Sequence, residues 1–225
     1  MFADGKDNNF YIRSKLFTMK FLRFVLISTL LALASTCVRA GDFRYRGFSG
    51  GMMLHTGYLT SGTFNNGFSK ISGAPIGLGG QAAFHFGTAE HHLCIGGDGY
   101  VSKVGYKPDK SYNRIGGGGL MIDYMYYGKG RVKGFVGVTL GGGVSESHSV
   151  FPEEIPLEEG MTPMGYNRDS FFMVCPHIGM EIRFAHNAHI ILKVDYNRNV
   201  TSFSERTPHG PRIFLGVVFH KMRRF

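Results

Sequence analysis

The chain contains no tryptophan, only three cysteines among 225 residues, and only 18% charged side chains. After residue 41 no apolar run approaches the ~20 residues that a membrane-spanning helix needs, which excludes a helical membrane bundle. No basic segment is interleaved with aromatics, so the formal charge of +9 does not point to a nucleic-acid partner. The glycine runs Gly116–Gly119 and Gly141–Gly143 are followed by neither Lys-Ser/Thr nor a helical pattern, which excludes a phosphate-binding loop. The missing tryptophan leaves the 11 tyrosines to occupy any membrane–water interface.

Glycine is abundant, at 33 residues, together with 20 phenylalanines. Inside helices glycine costs about 1 kcal/mol per position. In strands it permits bending and close approach of backbones. The composition therefore favours a β protein, and the length suits one domain or at most two.

Residues 19–40, MKFLRFVLISTLLALASTCVRA, fix the compartment. Lys20 and Arg23 form a short basic start, and Phe24 to Ala34 is an apolar run of signal-peptide length. Val38 and Ala40 place small residues three and one before a cleavage site, so Ala40 and Gly41 are the predicted junction. Residues 1–18 do not fit this pattern and are expected to be an upstream extension without order, with Met19 the working start. Residues 1–40 carry four of the nine net positive charges, leaving +5 on the remainder. Cys37 raises a rival reading, an acylated lipoprotein signal, but Ala34-Ser35-Thr36 before it match that pattern poorly.

From residue 41 onward the recurring feature is two-residue alternation in stretches of about ten residues, the pattern of a transmembrane β-barrel. Eight stretches are present: 46–59, 73–86, 91–102, 112–127, 131–144, 170–185, 188–200 and 211–225. In the second, Ile76, Leu78, Gly80, Ala82, Phe84 and Phe86 share one face, and Gly77, Gly79, Gln81, Ala83 and His85 share the other. In the sixth, Phe172, Val174, Ile178, Met180, Ile182 and Phe184 oppose His177, Gly179, Glu181 and Arg183. Alternation alone does not say which face is wet. The connections do discriminate, because short links (87–90, 128–130, 186–187) alternate with long ones (60–72, 103–111, 145–169, 201–210). Tight turns at one end and long loops at the other are the habit of outer-membrane barrels. The predicted fold is all-β: a single antiparallel up-and-down transmembrane barrel of about eight strands over 41–225, after the signal segment.

With signal, alternation, loop rhythm, the opening string GGMMLHTGYL and the terminal Phe225 in hand, the chain resembles the eight-stranded outer-membrane barrels of the porin-like and opacity-like group. It looks most like the small outer-membrane proteins of Bacteroidetes-type bacteria. The resemblance implies location and fold, and it implies outer-membrane lipid and the barrel-assembly machinery as partners. Phe225, preceded by Ile213, Leu215, Val217 and Phe219 in register, would be the assembly signal, although Lys221 and Arg223 interrupt the pattern. It brings over no catalytic residue, cofactor or metal ligand.

By alternation Asp123, Glu181, Arg183, Lys193 and Asp195 point into the barrel, and Lys133 joins them. A charge buried singly costs several kcal/mol, so these should pair. An eight-stranded bore is just wide enough for side chains to fill it, which predicts a plugged interior without a wide pore. Histidines 85, 177 and 189 fall on inward faces near the short-turn end, while His91-His92 falls in a predicted turn. A metal centre needs converging ligands, and without register none is assigned. Cys94 and Cys175 fall on nearly opposite strands, beyond the ~7 Å Cα separation of a disulfide, and are predicted free. The link 145–169 is the most distinctive, with four acids within Glu153–Glu159 and three prolines. His148 among Ser145, Ser147 and Ser149 has no visible orienting group, so no nucleophile is assigned. The expected function is a structural or binding role through long external loops. A lipid-modifying barrel enzyme and a soluble lipocalin-like carrier with its apolar faces turned inward stand as alternatives.

Overall fold

A computed structural model describes residues 44–61, 71–105, 111–128, 130–150, 164–200 and 207–222. The predicted signal segment, the junction at Ala40 and Gly41, Cys37, the acidic stretch Glu153–Glu159 and Phe225 lie outside the described residues. Ten strands are present among the described residues: β1 (Arg44–Gly57), β2 (Leu59–Thr60), β3 (Ser72–Gly73), β4 (Ile76–Gly87), β5 (His91–Gly105), β6 (Tyr112–Tyr126), β7 (Val132–Val150), β8 (Met164–Arg183), β9 (Ala188–Asn199) and β10 (Gly210–Met222). Eight of them close an antiparallel barrel in the order β1-β10-β9-β8-β7-β6-β5-β4, and β2 pairs with β3 in a small separate ladder. Each barrel strand pairs with the next barrel strand along the chain, β1 with β4 included, and β1 with β10 closes the sheet. Closure leaves the barrel no open edge, the condition for a sheet that meets lipid.

The strands form because side chains of one kind recur every second residue. On β4 the burial alternates, with Ile76, Leu78 and Phe84 exposed and Gln81, Ala83 and His85 buried. The polar face points into the barrel and the apolar face points out. Leu54 (65% exposed), Leu215 (56%) and Ile178 (62%) stand on the outer wall, whereas Lys193 and Glu181 are 0% exposed. A soluble carrier would show the reverse, so the lipocalin-like arrangement is not the one adopted. An apolar wall around a polar bore requires a lipid surround.

Aromatic side chains cluster on the outer face toward both ends of the strands. At the short-turn end Tyr45, Phe48, Phe84 and Phe86 lie against one another, with centroids 5.4–6.3 Å apart. At the long-loop end Tyr112, His148 and Tyr166 form a cross-strand row, 4.6 and 5.0 Å apart. The short-turn cluster borders the apolar wall, where a membrane interface lies, whereas the Tyr112 row stands beyond the outward charges Arg114, Glu146 and Arg168.

Two expectations need correction. The link 145–169 is mostly strand: β7 continues to Val150 and β8 begins at Met164, paired through Glu146↔Arg168 and Val150↔Met164. Both faces are polar there, with Ser145 and Ser147 inward and Glu146 outward, so hydrophobic alternation gives no signal beyond the apolar wall. His91 and His92 are not in a turn but open β5. The turn before them is tighter, closed by Thr88 N–H donating to the His91 carbonyl at 2.9 Å. It is entered through Gly87 at φ +143°, a conformation that other residues rarely adopt.

Candidate functional site

The strands bring the inward polar residues together in layers along the bore. Near the long-loop end Asn113 of β6 donates to Ser145 and Ser147 of β7 (2.9 and 2.8 Å). Deeper in, Arg212 of β10 grips Asp195 of β9 through Nε–Oδ1 (2.9 Å) and Nη2–Oδ2 (2.6 Å). The Arg212 guanidinium also lies 3.7 Å from the Tyr100 ring centroid, so its flat face is covered as its edge is paired. Such bidentate pairing is the strong form of ion pair.

In the middle layer Lys193 of β9 donates to Asp98 of β5 at 2.8 Å, and Thr139 of β7 donates to the same carboxylate at 3.2 Å. Strands β9 and β5 stand four places apart in a ring of eight. This contact therefore spans the full diameter of the bore. On one side, Asp123 of β6 pairs with His177 of β8 (2.7 Å). A Cβ on Gly137, between them in the wall, would collide with the Asp123 carboxylate, so only glycine leaves that pair its room. Apolar groups, among them Met53, Met121, Phe135 and Phe214, fill the space between these polar layers.

At the short-turn end Glu181 of β8 accepts from His189 of β9 (2.8 Å) and from His220 of β10 (2.7 Å), both at Oε2. Tyr127 lies 3.2 Å from the other nitrogen of His220. A cavity of about 510 Å³ adjoins this cluster, with His92, Lys133, His189 and His220 in its lining.

Of the five charges predicted inward, Asp123, Glu181, Lys193 and Asp195 are buried in this interior. Arg183 is exposed and is instead at the rim of the cavity, because β8 ends at that residue. Several residues of this interior are absent from the predicted set: Asp98, Arg212, His92 and His220. For Arg212 and His220 the signal exists in the sequence. Both share a face with Phe214 and Val218, opposite Ile213, Leu215, Val217 and Phe219. Alternation is strongest on the apolar face, and Arg212 and His220 lie on its partner face. Ser145 and Ser147 point inward whereas His148 stacks outside on Tyr112, so these residues make no nucleophile–base pair. Cys94 and Cys175 are free and buried, Cys94 3.2 Å from His85 and Cys175 donating to Asn197 at 3.4 Å.

A closed eight-stranded barrel with an apolar wall and a paired polar interior defines an integral outer-membrane protein. No protein-family model and no curated protein matches the chain. Among solved structures the chain is similar to Ail, the attachment invasion locus protein of Yersinia pestis, which was also solved in complex with the heparin analogue sucrose octasulfate. That match has 11% identity and a TM-score of 0.50, and covers 78% of this chain and 99% of that one. It is similar likewise to Neisserial surface protein A, at 11% identity and a TM-score of 0.50, covering 77% of this chain and 96% of that one. At such identity the likeness is one of fold: a small eight-stranded outer-membrane barrel.

Proposed function

We propose that this chain is a barrel of the opacity-like kind without a pore or an active site, acting through its long-loop end as a binding or structural protein. The observation that carries this reading is the Lys193–Asp98 contact across the whole bore, with Thr139 on the same carboxylate. A conducting channel would need that bridge removed together with the Arg212–Asp195 pair beside it. The test is conductance of the refolded protein in planar lipid bilayers. The expected record is flat, and reproducible unitary steps would overturn the reading. For the enzymatic alternative, the lipid A of a deletion strain should have an unchanged mass profile.

The outer wall narrows the kind of partner. Lys103, Arg114 and Arg168 are exposed at the long-loop ends of β5, β6 and β8, in adjacent register with Glu146 as the one acid among them. Arg168 lies 3.7 Å from Glu146. Three cations around one acid favour a polyanion, a sulfated glycan above all. Ail, of the same fold, was solved with such a compound. Binding of the refolded barrel to immobilised heparin should fall with salt and be lost in the triple Lys103→Ala, Arg114→Ala, Arg168→Ala variant.

A further inference from the structure

We propose that Glu181, His189 and His220 form a binding site for a divalent transition-metal ion, zinc-like in preference, reached from the short-turn mouth of the barrel, the periplasmic end in outer-membrane barrels. One oxygen or nitrogen from each lies within 4.8 Å of the other two. Three neighbouring strands supply them: β8, β9 and β10. Two imidazoles and a carboxylate are the donor set that such ions take in proteins.

A second observation marks the place. Glu181 is 0% exposed, yet its Oε1 has no hydrogen-bond partner among the described residues. Both imidazoles crowd onto Oε2 instead, at 2.7 and 2.8 Å. A buried carboxylate oxygen left bare is costly, and a cation is what it lacks. Tetrahedral ligands at ~2.0–2.2 Å from a zinc-like ion stand ~3.3 Å apart, so each N···O distance must open by only about 0.5 Å. On binding, each coordinating ring nitrogen loses its proton to solvent, the neutral ring takes one up at its other nitrogen, and the Glu181–His hydrogen bonds are replaced by bonds to the ion. Tyr127 beside the far nitrogen of His220 supplies the outer hydrogen bond that fixes a metal-ligating imidazole. The adjoining cavity, lined by His189 and His220, gives the ion its entry and room for a water as fourth ligand.

One group opposes the ion. Lys133, paired in register with Glu181, holds its Nζ 3.5 Å from the His189 nitrogen and over the Tyr127 ring. A dication displaces that ammonium into the cavity, whose wall Lys133 already forms. Metal and lysine charge are thus antagonists, which gives the proposal a sign.

The test is titration of the refolded chain in detergent micelles with zinc, with folding checked by the gel shift between heated and unheated samples. One ion per barrel is expected. Glu181→Gln and His220→Gln should each weaken it at least tenfold, and Lys133→Met should tighten it severalfold. His91→Gln, on the outer wall, should change nothing. If the two ligand variants do not fold, cobalt bound to the wild-type barrel decides: an intense visible band of four-coordinate nitrogen and oxygen ligation is expected. A folded wild-type barrel that takes up no zinc at millimolar concentration would overturn the proposal. So would ligand variants that bind like wild type, weaker binding by Lys133→Met, or a pale six-coordinate cobalt spectrum.

Discussion

The ammonium of Lys193 meets the carboxylate of Asp98 at 2.8 Å across the entire bore, joining two strands that share no backbone hydrogen bond. Lys193 is fully buried, and Asp98 nearly so. Removing one partner strands the other charge in the interior, which costs about 3–5 kcal/mol. Lys193→Met should therefore lower the urea midpoint of the refolded barrel by that equivalent. The double variant Lys193→Met/Asp98→Leu should recover most of the loss, because an apolar pair of similar volume replaces a buried ion pair at little net cost. A double variant no more stable than the single one would show that the lysine acts by packing alone.

The outer wall makes an opposite demand. Leu120 is 51% exposed near the middle of β6, where only lipid can cover it. Leu120→Arg should destabilise the barrel in bilayers by about 2–4 kcal/mol, falling to about 0–1 kcal/mol for Ile76→Arg at the long-loop end of β4. Equal penalties at both depths would contradict the placement of the membrane on this wall. Folding titrations in phosphatidylcholine vesicles measure both.

Glycines divide by what faces them. At Gly137 a Cβ meets the Asp123 carboxylate and the Ile122 carbonyl, whereas at Gly134, on the lipid face of the same strand, nothing lies within 4 Å. Gly137→Ala should cost about 1–3 kcal/mol through overpacking. Gly134→Ala should be neutral within about 0.5 kcal/mol, as surface changes usually are. Denaturant unfolding of the two variants side by side separates room-making glycine from compositional habit.

These contrasts also show how much of the molecule was legible in the sequence. The two faces of β4 are those read from period-two alternation, residue for residue, and so are those of Leu120 to Tyr126 on β6. Alternation reports only which side of the wall a residue occupies. It says nothing about which strands stand opposite, so Lys193 could be read as inward but not as the partner of Asp98. The same gap hid the meeting of Glu181, His189 and His220, which depends on the stagger of three strands. Where both faces turn polar, as from Ser145 to His148, the period loses its contrast and the strand reads as loop. The end of β8 illustrates a further limit: Arg183 keeps the inward phase but lies at the rim, because phase carries no depth.

The free cysteines test the register directly. Cys94 of β5 pairs across to Asp123, Gly137 and then His177, so at its level β8 presents His177 and not Cys175. Cys175 lies two residues away along β8, roughly 6.6 Å at the usual rise per residue, and three strand spacings of ~4.8 Å around the wall. That is beyond the ~7 Å Cα separation a disulfide can span. Both thiols are buried, at 1% and 2% exposure. A bulky maleimide should therefore leave the peptides carrying Cys94 and Cys175 unlabelled in the folded barrel. It should label both fully after boiling in detergent without reductant. Peptides that stay unlabelled in the boiled sample until reductant is added would mean the two are bridged, and would require strands β5 and β8 to lie much closer than this barrel allows.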